Sequence, residues 1–96
     1  MYLISYDISS DRLRNKVAKK LLDYGKRVQY SVFECDIDRK KYKELYKDLV
    51  TLLDGTDDGS VRIYFIDKTS CEKTVVIGMT SSDQELENQW NSIVII

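Results

Sequence analysis

The side chains able to do chemistry gather between Tyr6 and Phe33. Asp7 stands at the end of the run Tyr2-Leu3-Ile4-Ser5-Tyr6-Asp7-Ile8, one residue before its last, and the run has the aromatic and β-branched character of a strand. On strand alternation Asp7 shares a face with Leu3 and Ser5, opposite Tyr2, Ile4 and Tyr6. A carboxylate at a strand end acts either as a helix cap or loop acid, or as a ligand for a hard cation. Mg²⁺ takes one or two carboxylates and keeps several waters, so two copies of Asp7 meeting across a dimer axis would supply a site. A cation held there would polarise a phosphate and lower the pKa of its water.

A basic set follows: Arg12, Arg14, Lys16, Lys19, Lys20, Lys26 and Arg27. Arg12, Lys16, Lys19 and Lys20 fall on one side of a helix. They form either a solvated face or a ridge that binds nucleic-acid phosphates without reading bases. Arg27 shares a strand face with Gln29, Ser31 and Phe33 if residues 27–35 run extended. Phe33 is then either interface core or a ring that stacks a base.

What is missing narrows the chemistry. The 96 residues contain no histidine, which excludes a serine–histidine–acid triad, imidazole acid–base catalysis and a histidine-ligated zinc site. Cys35 and Cys71 lack the CxxC spacing of a zinc cage or redox motif and read as small apolar residues. The Asp/Gly-rich loop 54–60 is no calcium loop, because Phe65 stands where the closing glutamate belongs.

The remaining sequence must build a frame for these groups. By size the 96 residues make one domain, and 43% apolar with 32% charged residues is ordinary globular composition. No run approaches the roughly 18 apolar residues of a membrane span, and no basic leader precedes the first apolar run. A cytoplasmic location is expected. The net charge of −1 hides an asymmetry. Residues 1–50 carry 12 Lys/Arg against 8 Asp/Glu, whereas residues 51–96 carry 3 against 8. A basic half of this kind can mark nucleic-acid contact.

After the first strand, Ser9 or Ser10 caps a helix bearing Leu13, Val17, Ala18, Leu21 and Leu22, with Gly25 stopping it as a left-handed terminal residue. Residues 27–35 are extended, as one strand or bent into two short ones, and no Gly or Asn marks a turn within them. Asp36 or Asp38 caps a second helix whose apolar stripe is Tyr42, Leu45, Tyr46, Leu49 and Leu53, with both tyrosines expected in the core. Gly55 ends that helix. Strands follow at residues 61–67 and 74–77, then the apolar terminus Ile93–Ile96.

Two helices cover one face of a four-stranded sheet. The order therefore predicts an α+β, ferredoxin-like two-layer sandwich with an antiparallel sheet and an extra C-terminal strand. That strand, within residues 92–96, would pair in its own sheet or in a partner's. The second sheet face, expected to hold Phe33, Tyr64 and Ile66, suggests dimerisation.

Tyr6-Asp7-Ile8, Arg14 with a basic residue two positions on, Gly25, and Arg27-Val28-Gln29-Tyr30-Ser31-Val32-Phe33-Glu34 together resemble the small CRISPR-associated endoribonuclease family. Val61-Arg62-Ile63-Tyr64 after an Asp/Gly loop also fits, and the resemblance covers nearly the whole chain. It implies a ferredoxin-like homodimer and metal-dependent phosphodiester cleavage, with Asp7 as the Mg²⁺ or Mn²⁺ ligand at the dimer interface. It also implies a role in CRISPR spacer acquisition, bridging copies of the CRISPR integrase. Tyr6, Asp7, Arg14, Arg27, Ser31 and Phe33 match family positions linked to activity or the cleft. Lys16 stands where arginine is frequent and keeps the charge without the bidentate fork. RNA, DNA or both remain open as substrates. The alternatives are a non-catalytic duplex-DNA scaffold of the integrase complex and a virulence-associated toxin ribonuclease of similar fold.

Overall fold

The computed structural model describes residues 1–78 and the backbone of residues 94–95. Strand β1 (Tyr2–Asp7) leads into helix α1 (Asp11–Leu22). Ser10 caps α1, its Oγ accepting a hydrogen bond from the Leu13 amide at 3.3 Å. Asp7 is therefore not the helix cap. Strands β2 (Lys26–Gln29) and β3 (Val32–Cys35) form a hairpin, and α2 (Arg39–Leu53) follows with Asp38 as its cap. Strand β4 (Ser60–Phe65), a short helix α3 (Lys68–Glu72), β5 (Val75–Val76) and β6 (Val94–Ile95) complete the order.

The main sheet runs β2-β3-β1-β4, antiparallel throughout, with both long helices on one face. This is the ferredoxin-like sandwich expected from the element order. β1 is central, pairing Ile4 with Phe33 on one side and with Ile63 on the other. The buried face of β1 carries Ile4 and Tyr6, and α1 adds Val17, Ala18 and Leu21 while α2 adds Leu45 and Leu49. Each fully buried side chain of the Leu or Ile class stabilises the fold by roughly 1.5–3 kcal/mol relative to exposure. Tyr2 stacks on Tyr42 with ring centroids 4.2 Å apart, which ties the start of β1 to α2.

The structure corrects the expected fourth strand. Residues 27–35 do not run straight. They turn at Tyr30-Ser31, so β3 takes a place in the main sheet that residues 74–77 were expected to fill. The turn needs neither Gly nor Asn, because no non-glycine residue described has a positive φ. The short β5 instead pairs in parallel with β6 as a separate two-stranded sheet.

A register shift between Arg27 and Gln29 leaves Val28 as an extra residue, so Arg27 still shares a face with Phe33, its cross-strand partner. Phe33 also pairs with Ile4 of β1 and takes its buried face, so it lies under the helices with no exposed surface, rather than on the open sheet face. Tyr64 does lie on that open face, opposite Leu3, whereas Ile66 falls beyond the end of β4 and is half-buried.

Three smaller corrections follow from packing. Tyr46 is 51% exposed and Tyr42 half-buried, so the α2 core is carried by Leu45 and Leu49. The connection after β4 holds α3, because the Asp67 carboxylate accepts from the Ser70 amide at 2.7 Å and caps a turn of helix. That same bond holds the Asp67 pKa below its usual range. Cys35 packs in the core, where burial, with Glu34 adding, pushes its thiol up to about 11.

Gly25 has no left-handed backbone, since the positive-φ glycines are Gly55, Gly59 and Gly78. It is required by close approach. A Cβ there would lie 2.3 Å from the Glu34 carbonyl oxygen and 2.5 Å from Cys35 Sγ. Gly55 instead has φ +77° and open space around it. Gly55→Ala should cost only the left-handed penalty of roughly 1–2 kcal/mol. Gly25→Ala should cost more in the same urea melts, because the strand carbonyl cannot retreat without parting β2 from β3. Equal losses would contradict this account.

Candidate functional site

Asp7 sits at the last position of the central strand, paired with Ser60 of β4, and its residue is exposed. The loop before β4 closes tightly over this strand end. Gly59, at φ +130°, would place a Cβ 2.9 Å from Ile8 Cγ1 and 3.3 Å from the Asp7 carbonyl oxygen. Only glycine fits there without displacing the strand end that carries the carboxylate. Among the described residues the Asp7 carboxylate has neither a hydrogen-bond nor an ion-pair partner. It is a charged acceptor at a fixed place with its lone pairs unused.

Does this site suit a hard cation? No group of three or more acidic, cysteine or histidine side chains comes together among the described residues. One chain thus offers Asp7 alone. Mg²⁺ and Mn²⁺ accept oxygen donors and keep waters, so the donor chemistry fits when a second copy contributes its own Asp7.

On the opposite face of β1, Tyr6 organises the turn. Its amide donates to the Ser31 carbonyl at 3.1 Å, and its hydroxyl donates to the Tyr30 carbonyl at 3.2 Å. The same hydroxyl oxygen accepts from Arg27 Nη2 at 3.4 Å. The Arg27 guanidinium lies 5.2 Å from the centroid of the Phe33 ring and 5.9 Å from that of Tyr30. Arg27 is thereby held by two aromatic rings and a hydroxyl while the residue stays exposed. The Ser31 hydroxyl makes no hydrogen bond among the described residues and is half-buried.

Arg14 is tied to the loop that leaves Asp7. Its Nη1 donates to the Ile8 carbonyl at 3.1 Å and the Ser9 carbonyl at 3.4 Å, and its Nη2 pairs with the Asp11 carboxylate. The Asp11 contact is the main cause of a raised Arg14 pKa, and the Tyr30 side chain adds to it. The Arg14 Nε is buried without a partner among the described residues. Lys20 is drawn to the α1–α2 seam, 3.9 Å from Asp48, which also accepts from the Tyr24 hydroxyl at 3.0 Å. Arg12, Lys16 and Lys19 are exposed along α1.

The structure thus joins Tyr6, Arg27, Phe33 and the Ser31 backbone in one cluster, and brings Arg14 to it through Tyr30. It leaves Asp7 on the other face of β1 and the α1 lysines apart from both. Burial changes the part open to Phe33, which backs Arg27 and has no surface to offer a base. Two features had no signal in the sequence. Tyr30 emerges at the turn, and Arg62 lies on the open face beside Tyr64, whose proximity raises the Arg62 pKa. Arg62 stands opposite Ser5, two positions from the Ser60 that pairs with Asp7.

Residues 1–74 match the family described as CRISPR associated protein Cas2. The chain belongs to the Cas2 family. The matched span contains the four-stranded sheet, both long helices and every candidate site residue. The chain is 42% identical over 83 residues to the CRISPR-associated endoribonuclease Cas2 3 of Chloroflexus aurantiacus, covering 84% of this chain and 88% of that one. Its fold is similar to the crystal structure of Streptococcus pyogenes Cas2, with a TM-score of 0.68 and 29% identity over 80% of this chain and 98% of the other. It is also similar to a chain of a partial Cas6-RT-Cas1–Cas2 complex, with a TM-score of 0.62 and 28% identity over 72% and 80% of the two chains. No described helix is long and apolar enough to cross a membrane.

The Tyr6 hydroxyl is the hinge of the Arg27 cluster. Tyr6→Phe keeps the buried ring but removes both of its polar contacts, so urea denaturation should register a loss of about 0.5–1.5 kcal/mol. No measurable loss would show that the hydroxyl does not hold the turn.

Proposed function

We propose that this protein is a homodimeric CRISPR adaptation protein that cleaves phosphodiester bonds with a divalent cation held by Asp7 from each subunit, and that it bridges copies of the CRISPR integrase. Residues 1–96 then act as one domain, in the cytoplasm, with RNA or DNA as substrate. The observation that carries this reading is the exposed, unpartnered Asp7 carboxylate on a strand end that the sequence could have spent on a helix cap. Family membership and the nuclease names of its relatives support it. The likeness to a chain of a Cas1–Cas2 complex supports the integrase partnership. The match to Cas2 favours adaptation over the toxin alternative.

When bound, Mg²⁺ or Mn²⁺ would polarise the scissile phosphate and lower the pKa of a water. The chain's own residues prepare the ground for that chemistry. Asp7 supplies an anionic oxygen on a rigid strand. Arg14 fixes the loop directly after it, which keeps that carboxylate in place. Arg27, oriented by Tyr6 and backed by Phe33, neutralises a flanking phosphate, and the Ser31 hydroxyl donates to a phosphate oxygen. Arg12, Lys16, Lys19 and Lys20 add a phosphate-binding ridge on α1, with Lys20 partly spent on Asp48. The chain has no histidine, so no imidazole of its own moves a proton here.

A scaffold without catalysis is the second reading, favoured by the exposed cations of α1. Cleavage of labelled RNA and duplex DNA, with and without Mg²⁺, separates the two. Asp7→Ala should lower cleavage by roughly 10²–10³-fold, the scale of losing one transition-state electrostatic contact. Its stability should change by no more than about 0.5 kcal/mol, as for other exposed sites. Retained cleavage would remove Asp7 from the chemistry. Duplex binding without cleavage by the wild type would establish the scaffold.

A further inference from the structure

Tyr30 is the most exposed aromatic at the turn, with 72% of its surface open, and nothing in the proposed cleavage chemistry uses it. Single exposed rings are common on soluble proteins and by themselves mean little. This one differs in how it is held. Its peptide carbonyl accepts from the Tyr6 hydroxyl, and the next carbonyl, that of Ser31, accepts from the Tyr6 amide. Two consecutive residues of the turn are therefore fastened to the central strand. The ring is also backed by a cation. Phe33, Arg27 and Tyr30 form a layered series, with the guanidinium within 6 Å of both centroids. Arg14 approaches the Tyr30 side chain as well. The result is a preset aromatic ring beside two cations.

That combination matches what unpaired nucleic acid offers. A base presents a π face, and its phosphate presents charge to the flanking arginines. Stacking tolerates any base, because every base has such a face. A base inside a continuous duplex has both faces covered by its neighbours and cannot use the ring. We propose that Tyr30 is a stacking platform for an unpaired nucleobase, so that the β2–β3 turn favours single-stranded or frayed nucleic acid over continuous duplex. This rests on the nucleic-acid reading above and deepens it by naming the strand state selected.

The test is fluorescence anisotropy with two probes, a fluorescein-labelled single-stranded oligonucleotide and a closed dumbbell duplex without ends, at several salt concentrations. Tyr30→Ala should weaken single-strand binding by roughly 5- to 100-fold, the range for losing one base–aromatic stack. The slope of log affinity against log salt should not change, because no phosphate contact is lost. Dumbbell binding should also stay unchanged. Tyr30→Phe should keep single-strand affinity, and Tyr30→Leu should not, since it retains apolar bulk without a π face. Circular dichroism melts verify that each variant folds. Should Tyr30→Ala unfold, the comparison of the Phe and Leu variants decides. Unchanged single-strand affinity in Tyr30→Ala, equal loss on both probes, or full affinity in Tyr30→Leu would each overturn the proposal. A wild type that binds neither probe would overturn the nucleic-acid reading itself, and this inference with it.

Discussion

The site depends on one residue of the central strand. Tyr6 lies almost wholly buried in the core, its ring tilted against Phe33 at a centroid distance of 6.2 Å, and its polar atoms reach the adjacent hairpin. A buried hydroxyl without partners would be costly. Here it donates to the Tyr30 carbonyl and accepts from Arg27. Satisfying that hydroxyl also fixes the hairpin, because its acceptor is the Tyr30 carbonyl of the turn and its donor is Arg27 of β2. This contact ties down the bend at Tyr30-Ser31 and orients Arg27. Asp7, the next residue, points the other way by strand alternation. The two faces of β1 thus carry different work, a clamp on one and a free carboxylate on the other.

Local signals in the sequence were enough for most of the frame. Ser10 and Asp38 cap helices as their residue types suggest, and the stripe Leu13, Val17, Leu21 faces the sheet. The alternation of β1 places Ile4 and Tyr6 inside. What stayed hidden depended on contacts distant in sequence. The turn at Tyr30 has no turn residue of its own, because it is stabilised by Tyr6, 24 positions earlier. Which face of the sheet Phe33 takes is likewise set by its pairing with Ile4 of β1, a contact distant in sequence. Gly25 looked like a helix stop but is set by the backbone of β3, which no local pattern reveals. Of the candidate site, Asp7 and Arg27 were legible as residue types. The engagement of Arg14 with its own loop and of Lys20 with Asp48 was not.

The open face of the sheet explains why two copies would be needed. The helices cover one face only, and Leu3, Arg62, Tyr64 and Asp7 lie on the other. Each chain offers the unpartnered Asp7 carboxylate at the end of that face, and a second copy would complete the pair of carboxylates that Mg²⁺ can take. The positive charge is concentrated in residues 1–50, which hold α1, Arg27 and most of α2. An acidic sequence pI of about 5.4 is therefore compatible with a basic surface where phosphates would lie.

The claim at the centre is that Asp7 from two chains shares one cation. Titrating the protein with Mn²⁺ by calorimetry, with the oligomeric state followed by light scattering, measures this directly. The account predicts one Mn²⁺ per two chains, lost in Asp7→Ala while the dimer persists. One Mn²⁺ per chain, or binding that survives Asp7→Ala, would contradict it.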